Sequence, residues 1–254
     1  MTEGGSIEVL FTPAEFEALS KRDLSKSTCV VFDVLRATSS MVTALANGAE
    51  AIIPVSEISE ALEIKRNDPQ VLLAGERDGL RIEANLTGSI SFDLGNSPRE
   101  FTKEKVTGKK IVITTTNGTR ALRACAHAET VLVSSFLNLQ ATRDYLQPRV
   151  PLRLLVICSG TFEQPALEDV LAAGALCDSL CTFKPICSDS VLIAVNQFLQ
   201  ASHSLGFVIA QSRNARRLLS RPELRDDVAY CAQRDIYNFV AAMDKNGVVS
   251  RIDS

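Results

Sequence analysis

The stretch Thr28-Cys29-Val30-Val31-Phe32-Asp33-Val34-Leu35-Arg36-Ala37-Thr38-Ser39-Ser40 changes character at Asp33. Up to Phe32 it is a short β-branched and aromatic run without polar alternation, the pattern of a strand buried on both faces. From Ser39 to around Asn47-Gly48 it reads as a helix. A continuous apolar strand running straight into a helix is the unit from which parallel sheets are built. The unit recurs. Residues 51–55 predict a strand and 56–67 a helix with apolar Ile58, Leu62 and Ile64, and 71–74 predict a further strand. Residues 110–115, 130–134 and 152–158 repeat the theme, each with a helical segment after it. At the start, 7–11 predicts a strand, and Thr12-Pro13-Ala14-Glu15 supplies an N-cap, a proline at the first helical position and a capping-box glutamate. The expected architecture is α/β: three layers, α/β/α, with a largely parallel (mixed) sheet. No linker rich in Pro, Gly or Ser divides the chain, so residues 1–254 are expected to form one domain.

Two regions break the rhythm. Residues 77–98 are rich in Gly, Asn and Ser, and a loop of that length is usually functional or disordered. Residues 237–252 read as a hairpin turning at Asp244-Lys245-Asn246-Gly247.

Composition narrows the function. With 254 residues, 46% hydrophobic and 22% charged, the chain has the makeup of a globular protein with a sizeable core. A net charge of −3 argues against a nucleic-acid or anionic-membrane binder, whose footprint is basic. No apolar run approaches the ~18 residues that span a bilayer, and Met1-Thr2-Glu3-Gly4-Gly5-Ser6 lacks the features of a signal peptide, so a cytoplasmic protein is expected. Only His127 and His203 are present, which excludes a three-imidazole metal site within one chain. The seven cysteines include no Cys-x-x-Cys pair and fit reduced thiols. Cys177, Cys181 and Cys187 match no zinc spacing and read as small apolar side chains.

Ligands of parallel α/β sheets bind beyond the carboxyl ends of the strands. Asp33 at one such end can hold a hard cation, Arg36 can grip an oxyanion bidentately, and Thr38, Ser39 and Ser40 fall in a helix's first turn, where amides favour anions. An equally simple reading has Thr38 or Ser39 capping the helix while Asp33 pairs with Arg36. Thr114-Thr115-Thr116-Asn117-Gly118-Thr119-Arg120 brings hydroxyls and amides around a second strand-to-helix turn, without the spacing or the lysine of a P-loop. Gly75-Glu76-Arg77 and Glu168-Asp169 add acids near two further strand ends, and Asn96-Ser97 can donate hydrogen bonds. The basic face Arg213, Arg216, Arg217 and Arg221 reads as solvated surface. Together the pieces point to a small anionic substrate, a phosphate ester, with carboxylate-bound Mg²⁺.

These motifs are recognisable as a set. Asp33-Val34-Leu35-Arg36-Ala37-Thr38, Gly75-Glu76-Arg77, Phe92-Asp93-Leu94-Gly95-Asn96-Ser97-Pro98, Thr115-Thr116-Asn117-Gly118-Thr119-Arg120-Ala121 and Leu167-Glu168-Asp169 resemble the 2-phosphosulfolactate phosphatase family, in the family's order. The resemblance continues through Ser188-Asp189-Ser190 and Asp227-Val228-Ala229-Tyr230-Cys231-Ala232. It implies a Mg²⁺-dependent phosphatase that converts 2-phospho-3-sulfolactate to sulfolactate and phosphate, a step towards coenzyme M, on an α/β/α fold. One stretch departs: Thr161-Phe162-Glu163-Gln164-Pro165-Ala166 lacks the glycine expected before Leu167.

The expected catalytic residues are Asp33, Arg36, Glu76 and Arg120, with Arg36 and Arg120 as the oxyanion clamps. The expected substrate contacts are Thr38, Ser39, Arg77, Asn96, Ser97, Thr115, Thr116, Asn117, Gly118 and Thr119. Asp33, Glu76, Glu168 and Asp169 are the expected metal ligands, directly or through water. Position 35 is Leu, where an aspartyl-phosphate enzyme would carry its second acid, so in-line attack by water is favoured over a covalent route through Asp33. The competing class is a non-catalytic sensor of a phosphorylated or sulfonated metabolite. No nucleic acid or membrane is expected as a partner, and a homo-oligomer is left open.

Overall fold

The computed structural model describes residues 5–149, 151–180 and 186–252. The strands are β1 (Ser6–Leu10), β2 (Ser27–Phe32), β3 (Ala51–Pro54), β4 (Leu72–Arg77), β5 (Leu80–Arg81), β6 (Lys110–Thr114), β7 (Thr130–Ser134), β8 (Arg153–Cys158), β9 (Ile186–Cys187), β10 (Val240–Met243) and β11 (Val249–Ile252). Between them run the helices α1 (Pro13–Glu17), α2 (Ala37–Ala46), α3 (Ile58–Asn67), α4 (Ala84–Thr87), α5 (Lys103–Val106), α6 (Gly118–Ala124), α7 (Leu139–Leu146), α8 (Leu167–Leu180), α9 (Asp189–Ala201), α10 (Leu205–Ala210), α11 (Arg213–Leu219) and α12 (Arg225–Cys231). All the strands join one mixed sheet in the order β5-β4-β6-β3-β11-β10-β7-β2-β8-β1-β9.

Every residue of β2 is buried, and the reason is the two covered faces the apolar run implied. Val30 and Phe32 point into a cluster with side chains of α7, α8 and α9, whereas Cys29 and Val31 point into a second cluster with α1, α2 and α6. Thr12 caps α1 through a complete capping box with Glu15, as its sequence prescribes. Helix α2 begins at Ala37, two residues before the sequence-based start, because the Asp33 carboxylate accepts the Ala37 amide at 3.1 Å and the Asp33 carbonyl accepts that of Thr38 at 3.0 Å.

The terminal hairpin turns where its sequence says, but its place in the sheet is a tertiary matter. Strands β10 and β11 insert between β7 and β3 and join two sets of parallel strands: β7, β2, β8, β1 and β9 on one side and β3, β6 and β4 on the other. The contact of β11 with β3 is a single antiparallel bridge, Val249 to Ile52. Carboxyl ends from both sets nonetheless meet at one pocket.

Residues 77–98 are an ordered segment rather than a loose loop. They contain β5 and α4 and bury Ile82, Phe92 and Leu94, the first two in a third apolar cluster with Val55, Leu73 and Val112. The expectation about long apolar runs needs a correction of its own. The helical stretch Asp189–Ala210 is long and apolar enough, by length and composition, to cross a membrane. Its inward side chains Val191, Ala194, Phe198 and Ala201 pack in the same core as α8, while Leu192, Ile193 and Phe207 are exposed.

The α8–α9 contact rests on Gly174, where a Cβ would lie 2.1 Å from the Ala194 carbonyl oxygen. Backbone cannot yield as a side-chain tip can. Gly174→Ala therefore destabilises the fold by about 1–3 kcal/mol despite alanine's better helix propensity. In thermal unfolding that is a fall of several degrees for a chain of this size.

Candidate active site

The pocket lies beyond the carboxyl ends of β2, β4 and β6, and its enclosed volume is small, about 70 Å³. Asp33, Arg36, Glu76, Asn96, Thr115, Thr116 and Asn117 all line it. Asp33, Glu76 and Thr115, far apart in sequence, are brought together because each stands at the carboxyl end of a strand of the same sheet.

Buried carboxylates dominate the site. Asp33 is 9% exposed, Glu76 8%, Asp169 2% and Glu168 1%, and what holds them is mostly backbone amide. Asp33 Oδ1 accepts the Ala37 N–H, and its Oδ2 receives no hydrogen bond. Glu76 Oε1 accepts both the amide and the hydroxyl of Thr116 at 2.9 Å, and its Oε2 accepts the Gly79 amide at 2.6 Å. Asp169 accepts the Val34 amide at 2.8 Å and the Gly160 amide at 3.2 Å, tying two strand-end loops together. Glu168 Oε1 accepts from Asn214 at 2.6 Å, and its Oε2 is buried without a partner.

Like charges this close, removed from water, resist ionisation. Burial, followed by the charges of Glu76 and Glu168, pushes Asp33 up to about 7, against the pull of the Ala37 amide and Arg36. Asp169 is raised well above the ordinary range by burial and then by Asp33 and Glu168, and burial also raises Glu168. Among the described residues no three acidic, histidine or cysteine side chains converge as a ready-made metal-binding group. The donor chemistry is nonetheless that of a hard cation. Among the described residues neither Asp33 Oδ2, at the pocket, nor Glu168 Oε2, behind it, has a hydrogen-bond partner.

The remaining expected residues fall into distinct places. Thr38 and Ser39 are fully buried behind the pocket: Thr38 Oγ1 donates to the Asp33 carbonyl and accepts its amide, and Ser39 Oγ donates to the Val34 carbonyl. Asp33 takes the first amides of α2, so that helix end is closed to an outside anion. Thr119 is likewise internal, exchanging hydrogen bonds with Thr115 across the turn. Gly118 brings α6 up against Asp33, since a Cβ there would sit 2.7 Å from Asp33 Oδ2 and 2.6 Å from the Ala37 Cβ. Ser97 Oγ donates to Asp227, outside the pocket lining.

Three arginines depart from their expected roles. Arg77 turns away from the pocket and donates to the carbonyls of Glu76 and Ser56 and to Thr114 Oγ1. Arg120 also points outward, paired with Glu17 and Glu163. Arg36 lines the pocket, but its Nη1 is committed to Asp227 at 2.7 Å and its Nη2 to the Gly79 carbonyl at 2.8 Å.

Several residues in and around the pocket were not expected from the sequence. Asp227 is fully buried and accepts from Arg36, Ser97 Oγ and Arg99, joining α12 to two loops of the site. Asn214, Arg217 and Arg221 line the pocket, contrary to the reading of that basic face as solvated surface. Their three- and four-residue spacing was the available signal. Arg213 bonds Gln164 and the Thr161 carbonyl and sits over the exposed Phe162 ring, and Arg216 is exposed as expected. The loop that lacks its glycine places Phe162 (φ +51°) and Glu163 (φ +58°) in the left-handed region all the same. Neither histidine lines the pocket. Cys177 is buried in the core, no disulfide joins the described cysteines, and Cys181 lies outside the described residues.

Comparison with known proteins identifies the family. A profile of the family described as 2-phosphosulpholactate phosphatase matches residues 14–246. A probable 2-phosphosulfolactate phosphatase of Caldanaerobacter subterraneus subsp. tengcongensis is 38% identical over 94% of this chain and 97% of its own length. A protein of the same name from Thermotoga maritima is 40% identical over 87% and 90%, and one from Clostridium perfringens is 34% identical over 91% of each. Fold, pocket and relatives together define a phosphoric monoester hydrolase, which displaces the reading of a non-catalytic sensor. Within that class, the chain belongs to the 2-phosphosulfolactate phosphatase family.

The raised carboxyls make a pH prediction whose sign can be worked out. Asp33 titrates near 7 in the folded chain and near 4 when unfolded, so its contribution to stability is complete below about 4 and is lost as pH rises to 7. Asp169 and Glu168 act in the same direction. In EDTA, the melting temperature falls between pH 5 and pH 8, and Asp33→Asn flattens part of that fall. A wild-type melting temperature that stays level across this window would contradict the burial argument.

Proposed function

We propose that the pocket hydrolyses 2-phosphosulfolactate, or a small phosphoester with the same anionic groups, to the free hydroxy acid and inorganic phosphate with Mg²⁺ as cofactor. The observation that carries the reading is the meeting of the Thr115-Thr116-Asn117 turn with Asp33 and Glu76 in one pocket, in a chain of this family. Asp33 and Glu76, which line the pocket, would hold Mg²⁺, and Glu168 and Asp169 would act from behind, Glu168 Oε2 through a water. Mg²⁺ commonly keeps several waters and takes one or two protein carboxylates, so the small number of converging acids suits it. When bound, it would neutralise charge building on the phosphoryl oxygens.

The chain's own residues would do the rest. The Asn117 end of the Thr115-Thr116-Asn117 turn positions the phosphoryl group, while the Thr116 amide and hydroxyl hold Glu76 in place. Water attacks phosphorus in line, the bond from phosphorus to the ester oxygen breaks, and that oxygen takes up a proton equivalent to the one water gives up. A carboxylate near the metal, rather than one bound to it, would take that proton and hold it between the two events. Leu35 stands in the pocket wall where a covalent mechanism would want a second acid, which supports direct attack. Reduced thiols suit a cytoplasmic setting, and in an organism that makes coenzyme M the reaction would be a step towards it.

Phosphate release from 2-phosphosulfolactate is expected with Mg²⁺ and abolished by EDTA. No release from this or any small phosphoester would reject the reading. In a single turnover in ¹⁸O-water, the label should appear in phosphate. Label in the Asp33 carboxylate would instead establish an aspartyl-phosphate.

A further inference from the structure

We propose that Arg217 and Arg221 form a subsite for the substrate's second anionic group, its sulfonate, and so set substrate selectivity. This rests on the phosphatase reading above and assigns the half of the pocket which that reading leaves unused.

Three arginines line the pocket: Arg36, Arg217 and Arg221. Arg36 is compensated by the fully buried Asp227 at 2.7 Å. The other two have no such partner. Arg217 reaches Asp78 Oδ1 only at 3.5 Å, and that side chain is 87% exposed, so water already screens the pair. Arg221 Nη1 reaches only the Asp78 carbonyl, at 3.3 Å. Two half-buried guanidinium groups with long, weak contacts therefore hold positive charge in the pocket.

Local backbone then shapes the opening. Arg217 is on α11 and Arg221 four residues on, so both face the β4–β5 turn. At its tip Asp78 (φ +56°) and Gly79 (φ +76°) are both left-handed. Gly79 presents no side chain, and even an added Cβ would stop 3.9 Å from both guanidinium groups, so the turn does not crowd them. Asp33 and Glu76 line the same pocket.

Such a pocket orients a substrate with two anionic ends. A sulfonate has no proton to lose at neutral pH and stays anionic, and the two guanidinium groups offer it fork-shaped donors. The phosphoryl group is then left to the Thr115-Thr116-Asn117 turn. The name 2-phosphosulfolactate, carried by the relatives, describes a molecule with a phosphate, a sulfonate and a carboxylate.

The test compares kcat/KM for 2-phosphosulfolactate with that for isopropyl phosphate, which keeps the branched ester carbon and carries no second anion. Arg217→Met and Arg221→Met should each lower the ratio of the two values about tenfold, mainly through KM for 2-phosphosulfolactate. Arg217→Lys should recover part of the loss. Asp78→Asn removes the exposed ion pair yet leaves both arginines, and it should retain or raise the wild-type ratio. Binding of 3-sulfolactate, measured by calorimetry, needs no turnover and should weaken in the same Met variants. A ratio unchanged in the Met variants, or one that falls equally in Asp78→Asn, would overturn the subsite and leave a wall-bracing role for the arginines. A wild type inactive on both esters would reject the phosphatase reading instead, while calorimetry still decides the subsite.

Discussion

Four carboxylates withdrawn from water behind one set of strand ends are the constraint around which this protein is arranged. Uncompensated, such a cluster would be prohibitive. The chain meets it with oriented backbone. Ala37 donates to Asp33, Val34 and Gly160 to Asp169, and Thr116 and Gly79 to Glu76, while the Asn214 side chain serves Glu168. The donors come from the connections after β2, β4, β6 and β8 and from α11, so satisfying the acids also sets where those segments run. The residual repulsion stays in the raised Asp33 and Asp169 carboxyls, and it favours any cation or proton that enters.

The opposite charge balance operates one layer out. Asp227 is fully buried and accepts hydrogen bonds from Arg36, Arg99 and Ser97. Replacing buried ion pairs by apolar residues often costs little stability, so the value of this cluster lies in position. It links α12 with the loop after β2 and with Ser97-Pro98-Arg99, and so closes the pocket from the side that the sheet does not reach. Arg36 owes its direction to this arrangement, and with it the hold on the Gly79 carbonyl that shapes the β4–β5 turn.

The loop from Gly160 to Gln164 shows how a backbone requirement can outlast the residue suited to it. Phe162 and Glu163 adopt left-handed conformations that cost non-glycine residues about 1–2 kcal/mol each. Their surroundings supply compensation: the Thr161 and Gln164 backbones pair, Arg120 binds Glu163, and Arg213 lies over Phe162. Arg120 thus acts on the pocket's rim rather than on its contents.

Much of this was written locally. The burial of β2 on both faces, the start of α1, the turn of the terminal hairpin and the placing of Asp33, Glu76 and Thr115 at strand ends follow from short-range pattern, because a strand's side-chain alternation and a cap's hydrogen bonds involve only near neighbours. What the sequence left undetermined were the quantities set by distant partners. The hairpin could pair at any free edge, and only the assembled sheet puts it between β7 and β3. The arginines make the same point more sharply. Arg120 is close in sequence to the Thr115-Thr116-Asn117 turn but is drawn outward by Glu17 and Glu163, whereas Arg217 and Arg221, about a hundred residues away, face the pocket because the packing of α11 turns them there. A long charged side chain reaches several ångströms and goes where its neighbours let it, so its direction is a property of tertiary packing.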